Sequence, residues 1–217
     1  MDSLEQEYLG AAHGVTGIIY TLLRAHAVSS LTKEHLGRVR NTATLLLESF
    51  VQHDGNLVSK AASPVHRSHA SEAACDSCND CVQWCHGAVG LVVCMAQAWQ
   101  VFGDEAMLMC AERAAELTWR QGLLIKGLGL CHGVAGNAYA FLCMHRTCLR
   151  RGDTDGAQKW LCRAQAYAKW MFASDSRCKQ LIFTPDETMS LFEGLSGTLT
   201  FLLDLLHPST AAFPCFE

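Results

Sequence analysis

Charge is scarce in this chain. Of its 217 residues 18% are charged, the formal net charge is −4 and the pI is near 6.2. A nucleic-acid binder needs a basic stripe to neutralise phosphates. Here the basic residues stand singly or in short groups such as Arg146, Arg150 and Arg151, read as solvated helix faces. Nucleic acid is therefore not an expected partner. The opening "MDSLEQEYLG" lacks the basic start and apolar core of a secretory leader, and Asp2 stands where N-myristoylation needs glycine. A cytoplasmic setting is expected, with the membrane surface as a peripheral one. Strand-like alternation is rare. The long uncharged run from Gly127 to His145 approaches the length of a spanning helix. It holds Cys131, His132, Asn137 and four glycines, and so reads as a buried helix preceded by a functional loop.

What is abundant is apolar surface and thiol. Hydrophobic residues make up 50% of the chain, which excludes disorder and supports a sizeable core. There are 12 cysteines, and without secretion these read as thiols or metal ligands rather than disulfides. Four of them fall in "CDSCNDCVQWCHG", Cys75 to Gly87, at the C-x2-C-x2-C-x3-C spacing of ferredoxins. A ferredoxin run ends in Cys-Pro, however, and here His86 follows; no second run exists. An iron–sulfur cluster is not expected. Cys75, Cys78 and Cys81 lie in a long irregular loop at about 54–84 with His66 and His69. Either a structural zinc or a cysteine-rich insertion without metal fits that loop.

An internal repeat organises the rest. "AHGVTGIIYTLL" from Ala12, "CHGAVGLVVCMA" from Cys85, "CHGVAGNAYAFL" from Cys131 and "FEGLSGTLTFLL" from Phe192 each join G-x-x-G to an uncharged apolar run. Between them lie amphipathic stretches. In 33–50 the apolar stripe is Leu36, Val39, Ala43, Leu46 and Phe50; in 104–119 it is Met107, Cys110, Ala114 and Leu117; in 157–171 it is Trp160, Ala164, Ala168 and Met171. Asp104 is the expected N-cap of the second. An all-apolar helix wants burial all round, and an amphipathic one wants a single buried face. A double ring of helices, apolar inside and amphipathic outside, satisfies both. The glycines permit a tight turn where each inner helix begins, and free N–H groups are expected there, favouring anions and thiolates.

The repeat assigns Cys85 to the same element as Cys131, since both precede His-Gly-x-x-Gly. Two thiols at neighbouring inner-helix starts, with His132 beside one of them, make a Cys2His set. Such a set leaves one tetrahedral position on Zn2+ open, as catalytic rather than structural sites do. His86 is expected to hydrogen-bond the backbone.

"WCHGAVG", "GLCHGVAGNAYAFL", "YLGAAHG", "SLFEGLSGT" and the ending "FPCFE" together resemble the LanC-like proteins, eukaryotic relatives of bacterial lanthionine cyclases. The resemblance implies an all-α fold, an α/α toroid of seven helical hairpins around a central zinc. Only four of the seven glycine motifs are present, so an incomplete ring in a single domain over 1–217 is expected. Its exposed inner helices would then favour self-association or a partner. The resemblance further implies Cys85, Cys131 and His132 as zinc ligands. It makes His13 a proton-transfer residue, read otherwise as a brace for its turn. Lys126 becomes a glutathione contact, read otherwise as a solvated loop lysine. The implied reaction adds glutathione to dehydroalanine or dehydrobutyrine in damaged proteins. The alternative is a zinc- and glutathione-binding fragment without turnover.

Overall fold

The computed structural model describes residues 7–29, 31–61, 81–173 and 187–217. Cys75, Cys78, His66 and His69 lie outside the described residues. Seven α-helices appear among those described: α1 (Val15–Ser29), α2 (Lys33–Phe50), α3 (Ala88–Phe102), α4 (Glu105–Gln121), α5 (Val134–Arg151), α6 (Thr154–Met171) and α7 (Leu195–Asp204). Two short strands, β1 (Glu7–Tyr8) and β2 (Lys60–Ala61), pair antiparallel with Tyr8 opposite Lys60.

Local chemistry sets the hairpins. α3 ends at Gly103 and α5 at Gly152, both left-handed with φ of 66° and 78°, a conformation glycine adopts without penalty. The next residue in each case is an aspartate that caps the following helix. Asp104 accepts from the Ala106 N–H at 3.1 Å, and Asp153 from the Gly156 N–H at 2.9 Å. A Gly-Asp pair thus stops one helix and starts its partner. Thr32 does the capping for α2, accepting from the His35 N–H at 3.2 Å.

The layers follow from patterning. α1, α3, α5 and α7 pack successively on one another, while α2, α4 and α6 each back onto the preceding apolar helix. In α5 every side chain from Val134 to Cys148 is buried. α4 buries Met107, Cys110, Ala114 and Leu117 and leaves Glu105, Met109 and Arg120 outside. The run from Gly127 to His145 is accordingly a loop and a core helix. Among the described residues no helix is long and apolar enough to cross a membrane.

Each inner helix is entered through the same backbone turn. A Cβ on the second motif glycine (Gly17, Gly136 or Gly197) would run into the carbonyl six residues upstream, at Ala11, Leu130 and Leu191. At Gly90 it would meet Ala11 Cβ and the Trp84 carbonyl oxygen. The turn also uses the helix-start N–H groups. Val134, Ala135 and Gly136 donate to the carbonyls of Gly127, Leu128 and Gly129, and Thr16 and Leu195 donate to those of Leu9 and Thr188. These donors were expected to face anions; the loop carbonyls take them instead, because the chain folds back over its own helix start.

The C-terminal segment crosses the inner layer. Phe213 is fully buried and stacks on Trp84 at 5.0 Å, and Phe216 stacks on Tyr20 at 4.3 Å. Arg146 pairs with Glu217, both side chains under one-tenth exposed. The reading of Arg146 as a solvated group is thereby corrected: it sits on the buried face of α5, and only Arg150 and Arg151 are exposed. The described ends of the 54–84 stretch are packed, with Asn56, Leu57, Ser59 and Val82 buried.

Candidate metal centre

The loops that precede the inner helices hook onto one another. Leu130 and Cys131 both donate their N–H groups to the Phe192 carbonyl at 2.7 Å, and Cys85 donates its N–H to the Cys131 carbonyl at 3.3 Å. Gly10 lies so close to the Cys85 carbonyl that no side chain fits there. Gly87 reaches the turn with φ of 104° and a Cβ would strike the Cys81 carbonyl, so only glycine allows Cys85 to turn inward. Successive repeats therefore deliver their motif residues to one place.

There Cys85 Sγ, Cys131 Sγ and a ring nitrogen of His132 lie within 4.8 Å of one another. Cys85 is buried; Cys131 and His132 are half-buried. The hydrogen bond from Cys131 pulls the Cys85 thiol below its ordinary value against the opposing cost of burial, and His132 adds to this. Cys131, keeping its proton for Cys85, is pushed up, with burial and the Glu193 charge adding to the shift. His132 is raised by its bond to Cys85, against burial. The two thiols titrate jointly, and with the imidazole they converge on one point. Two sulfurs and one nitrogen at this separation fit the donor set of a tetrahedral zinc with an open position.

Other residues border this set. Glu193 and Lys126 bear electrostatically on both Cys131 and His132, with opposite signs. Lys126 is largely exposed, and its Nζ donates to Gln83 Oε1 at 3.3 Å. His13 is exposed and lines a cleft of about 580 Å³ with Ile18, Thr21, Trp84 and Phe216. Its ring lies 5.8 Å from that of His86, and Tyr8 sits against both at 6.2 and 5.6 Å. The structure brings Cys85, Cys131 and His132 together; His13 is not in that group and packs its ring against His86. The expected backbone bond of His86 is not made by Nδ1, which is buried without a hydrogen-bond partner; the ring lies tilted against those of His13 and Tyr8.

Two contributors escaped the sequence reading. Gln83 donates from Nε2 to Cys85 Sγ at 3.3 Å. An i, i+2 relation puts two side chains on one side of an extended segment, but nothing in the sequence marks 83–85 as extended. Asn137 is fully buried and bonds the carbonyls of Val82 and Gly122 at 2.7 and 2.8 Å. A polar residue in an otherwise apolar helix was the available signal for it.

A family model described as "Lanthionine synthetase C-like protein" matches residues 1–217. The chain is 38% identical over 216 residues to "Glutathione S-transferase LANCL1" of Danio rerio, covering 98% of this chain and 46% of that protein. It is 33% identical over 218 residues to "LanC-like protein GCL1" of Arabidopsis thaliana, covering 97% of this chain and 43% of that one. The chain thus spans about half the length of these curated relatives. Among solved structures it is similar to nisin cyclase, with a TM-score of 0.64 at 16% identity, covering 93% of this chain and 47% of that one. The fold is that of a helical toroid.

Proposed function

The chain belongs to the lanthionine synthetase C-like family, and from that premise we propose that it activates a thiol. The thiol is glutathione, the acceptor is dehydroalanine or dehydrobutyrine in a damaged protein, and the product is a thioether. The observation that carries this reading is the convergence of Cys85, Cys131 and His132 within 4.8 Å. The zebrafish relative, named a glutathione S-transferase, supports the choice of thiol. Zn2+ on these three residues would supply an open position that keeps a thiol in its nucleophilic form.

The chain's own residues do the rest. Lys126, an ammonium beside the centre, pairs with a glutathione carboxylate. The sulfur–carbon bond forms at the β-carbon, the π electrons move to the α-carbon, and a protonated acid delivers a proton there, so no oxidant or reductant is needed. In this reading His13 makes that delivery, and its ring contacts with His86 and Tyr8 support the assignment. A cytoplasmic setting belongs to this reading.

A second reading is a zinc- and glutathione-binding protein without turnover. It is favoured by the apolar stripe of α7, where Leu195, Leu199 and Leu203 are exposed at helical spacing and Leu206 continues it. A surface of that kind suits self-association or a covering partner. One experiment separates the two: purified, zinc-loaded protein is incubated with glutathione and a dehydroalanine peptide, and the thioether adduct is sought by mass spectrometry. Adduct above the uncatalysed background supports turnover. Stoichiometric zinc with no adduct supports the binder, and absence of zinc uptake overturns both.

A further inference from the structure

Lys126 and Cys85 stand on different loops, and a single buried side chain joins them. Gln83, only 5% exposed, accepts from Lys126 Nζ through Oε1 and donates from Nε2 to Cys85 Sγ, each at 3.3 Å. The orientation of the amide follows from its neighbours. An ammonium carries only donors, so the amide oxygen must face Lys126 and the NH2 group is left for the sulfur. The bridge is also anchored. Gln83 donates its main-chain N–H to the His86 carbonyl at 3.2 Å, closing a turn around Cys85. Asn137 holds both flanks, bonding the carbonyl of Val82 beside Gln83 and that of Gly122 at the start of the loop that carries Lys126.

An N–H aimed at a ligating sulfur withdraws charge from it and fixes its direction. A cation on the oxygen of the same amide polarises that N–H further. The charge of Lys126 therefore reaches the Cys85 sulfur without touching it. We propose that Gln83 is a positioning residue, which holds the Lys126 ammonium at the rim of the metal centre and sets the donor strength of the Cys85 sulfur toward the metal. This rests on the metal reading above and deepens it.

Cobalt(II) is the probe, since thiolate-to-cobalt charge transfer reports sulfur donor strength directly. Gln83→Met removes both bonds at nearly constant volume. Gln83→Glu keeps an acceptor for Lys126 and loses the donor to sulfur. Both variants are expected to move the charge-transfer band to longer wavelength and to weaken cobalt binding by about tenfold. Lys126→Met is expected to move the band the same way by less, and to add nothing in the Gln83→Met background. An unchanged band and affinity in Gln83→Met, or full additivity with Lys126→Met, would overturn the proposal. Should the variants not fold, as read by far-UV circular dichroism, nitrogen-15 spectra of the metal-free wild type decide. The Gln83 side-chain amide protons should lie away from random-coil positions and move in Lys126→Met; random-coil values overturn the bridge. A wild type with no charge-transfer band sinks the metal reading, while the amide signals still report on the bridge.

Discussion

Cys85 gives its main-chain N–H to the Cys131 carbonyl at 3.3 Å, so the two sulfurs of the candidate centre are held together by backbone and not only by any ion between them. Cys131 and its neighbour Leu130 are tied in turn to the Phe192 carbonyl. Three repeats of one turn therefore meet before any side-chain chemistry is considered. Site and scaffold can be separated experimentally on this ground.

Cys131→Ala and His132→Ala should abolish stoichiometric zinc while leaving far-UV circular dichroism unchanged. In the wild type, zinc must displace protons from Cys131 and His132, whose proton affinities are both raised. Protons therefore compete, and zinc affinity should climb as pH rises through neutrality. Competition against a chromophoric chelator at pH 6 and pH 8 checks the sign. Equal affinity at both values would speak against these two residues as ligands.

Much of this was legible in the sequence, for reasons tied to particular residues. The alternation of apolar and one-sided helices was readable because burial on all sides and burial on one side leave different periodicities. The stripe over 33–50 matches α2 in both bounds, and Asp104 caps α4 as expected. The grouping of Cys85 with Cys131 came from the repeat, and the turns deliver it. The long-range partners were not legible. Arg146 sits in α5 beside genuinely exposed arginines, and only the return of the chain to Glu217 explains why it is buried. Gln83 was silent because its two partners meet only once separate loops converge.

The glycines of α2 and α5 should respond to alanine with opposite signs. A Cβ on Gly136 would press into the Leu130 carbonyl, which cannot yield without moving the loop that carries Cys131. Gly136→Ala should cost about 1–3 kcal/mol. Gly37 is exposed in the body of α2, and a Cβ there would meet no neighbour within 4 Å. Gly37→Ala should stabilise by about 0.5–1 kcal/mol through helix propensity. Thermal melts of the metal-free protein, at about 2–4 °C per kcal/mol, resolve both.

Acid should expose a contribution from the outer layer. Lys159 and Arg163 of α6 reach Glu116 of α4 at 2.6 and 2.9 Å. Burial works the other way, yet the two cations hold the Glu116 carboxyl below its ordinary value. A depressed folded value stabilises above the unfolded one, about 4.3, and that contribution is lost as pH falls through the folded value. Since Glu116 is about a third exposed, screening leaves about 0.5 kcal/mol. The gap in urea midpoint between wild type and Glu116→Gln, measured with chelator present, should be open at pH 7 and closed near pH 3. A gap that widens on acidification would reverse the assignment.

The pair formed by Arg146 and Glu217 makes the sharper claim about stability. Both side chains are buried, at 8% and 9% exposure, and Glu217 also accepts from the Phe213 N–H at 2.9 Å through its second carboxylate oxygen. Glu217 thus fastens Phe213 and Phe216, which cover Trp84. Removing one charge from a buried pair strands the other, at a cost of about 3–5 kcal/mol. Arg146 is poorly placed to recover, because its other terminal nitrogen is already buried without a hydrogen-bond partner. Glu217→Leu should therefore destabilise strongly and shift Trp84 emission to the red as the C-terminal segment lifts. Adding Arg146→Met removes the stranded charge and should restore part of the loss. The double-mutant cycle would then show that the single-variant cost came chiefly from an unpaired guanidinium rather than from lost packing; strict additivity in that cycle would show the reverse.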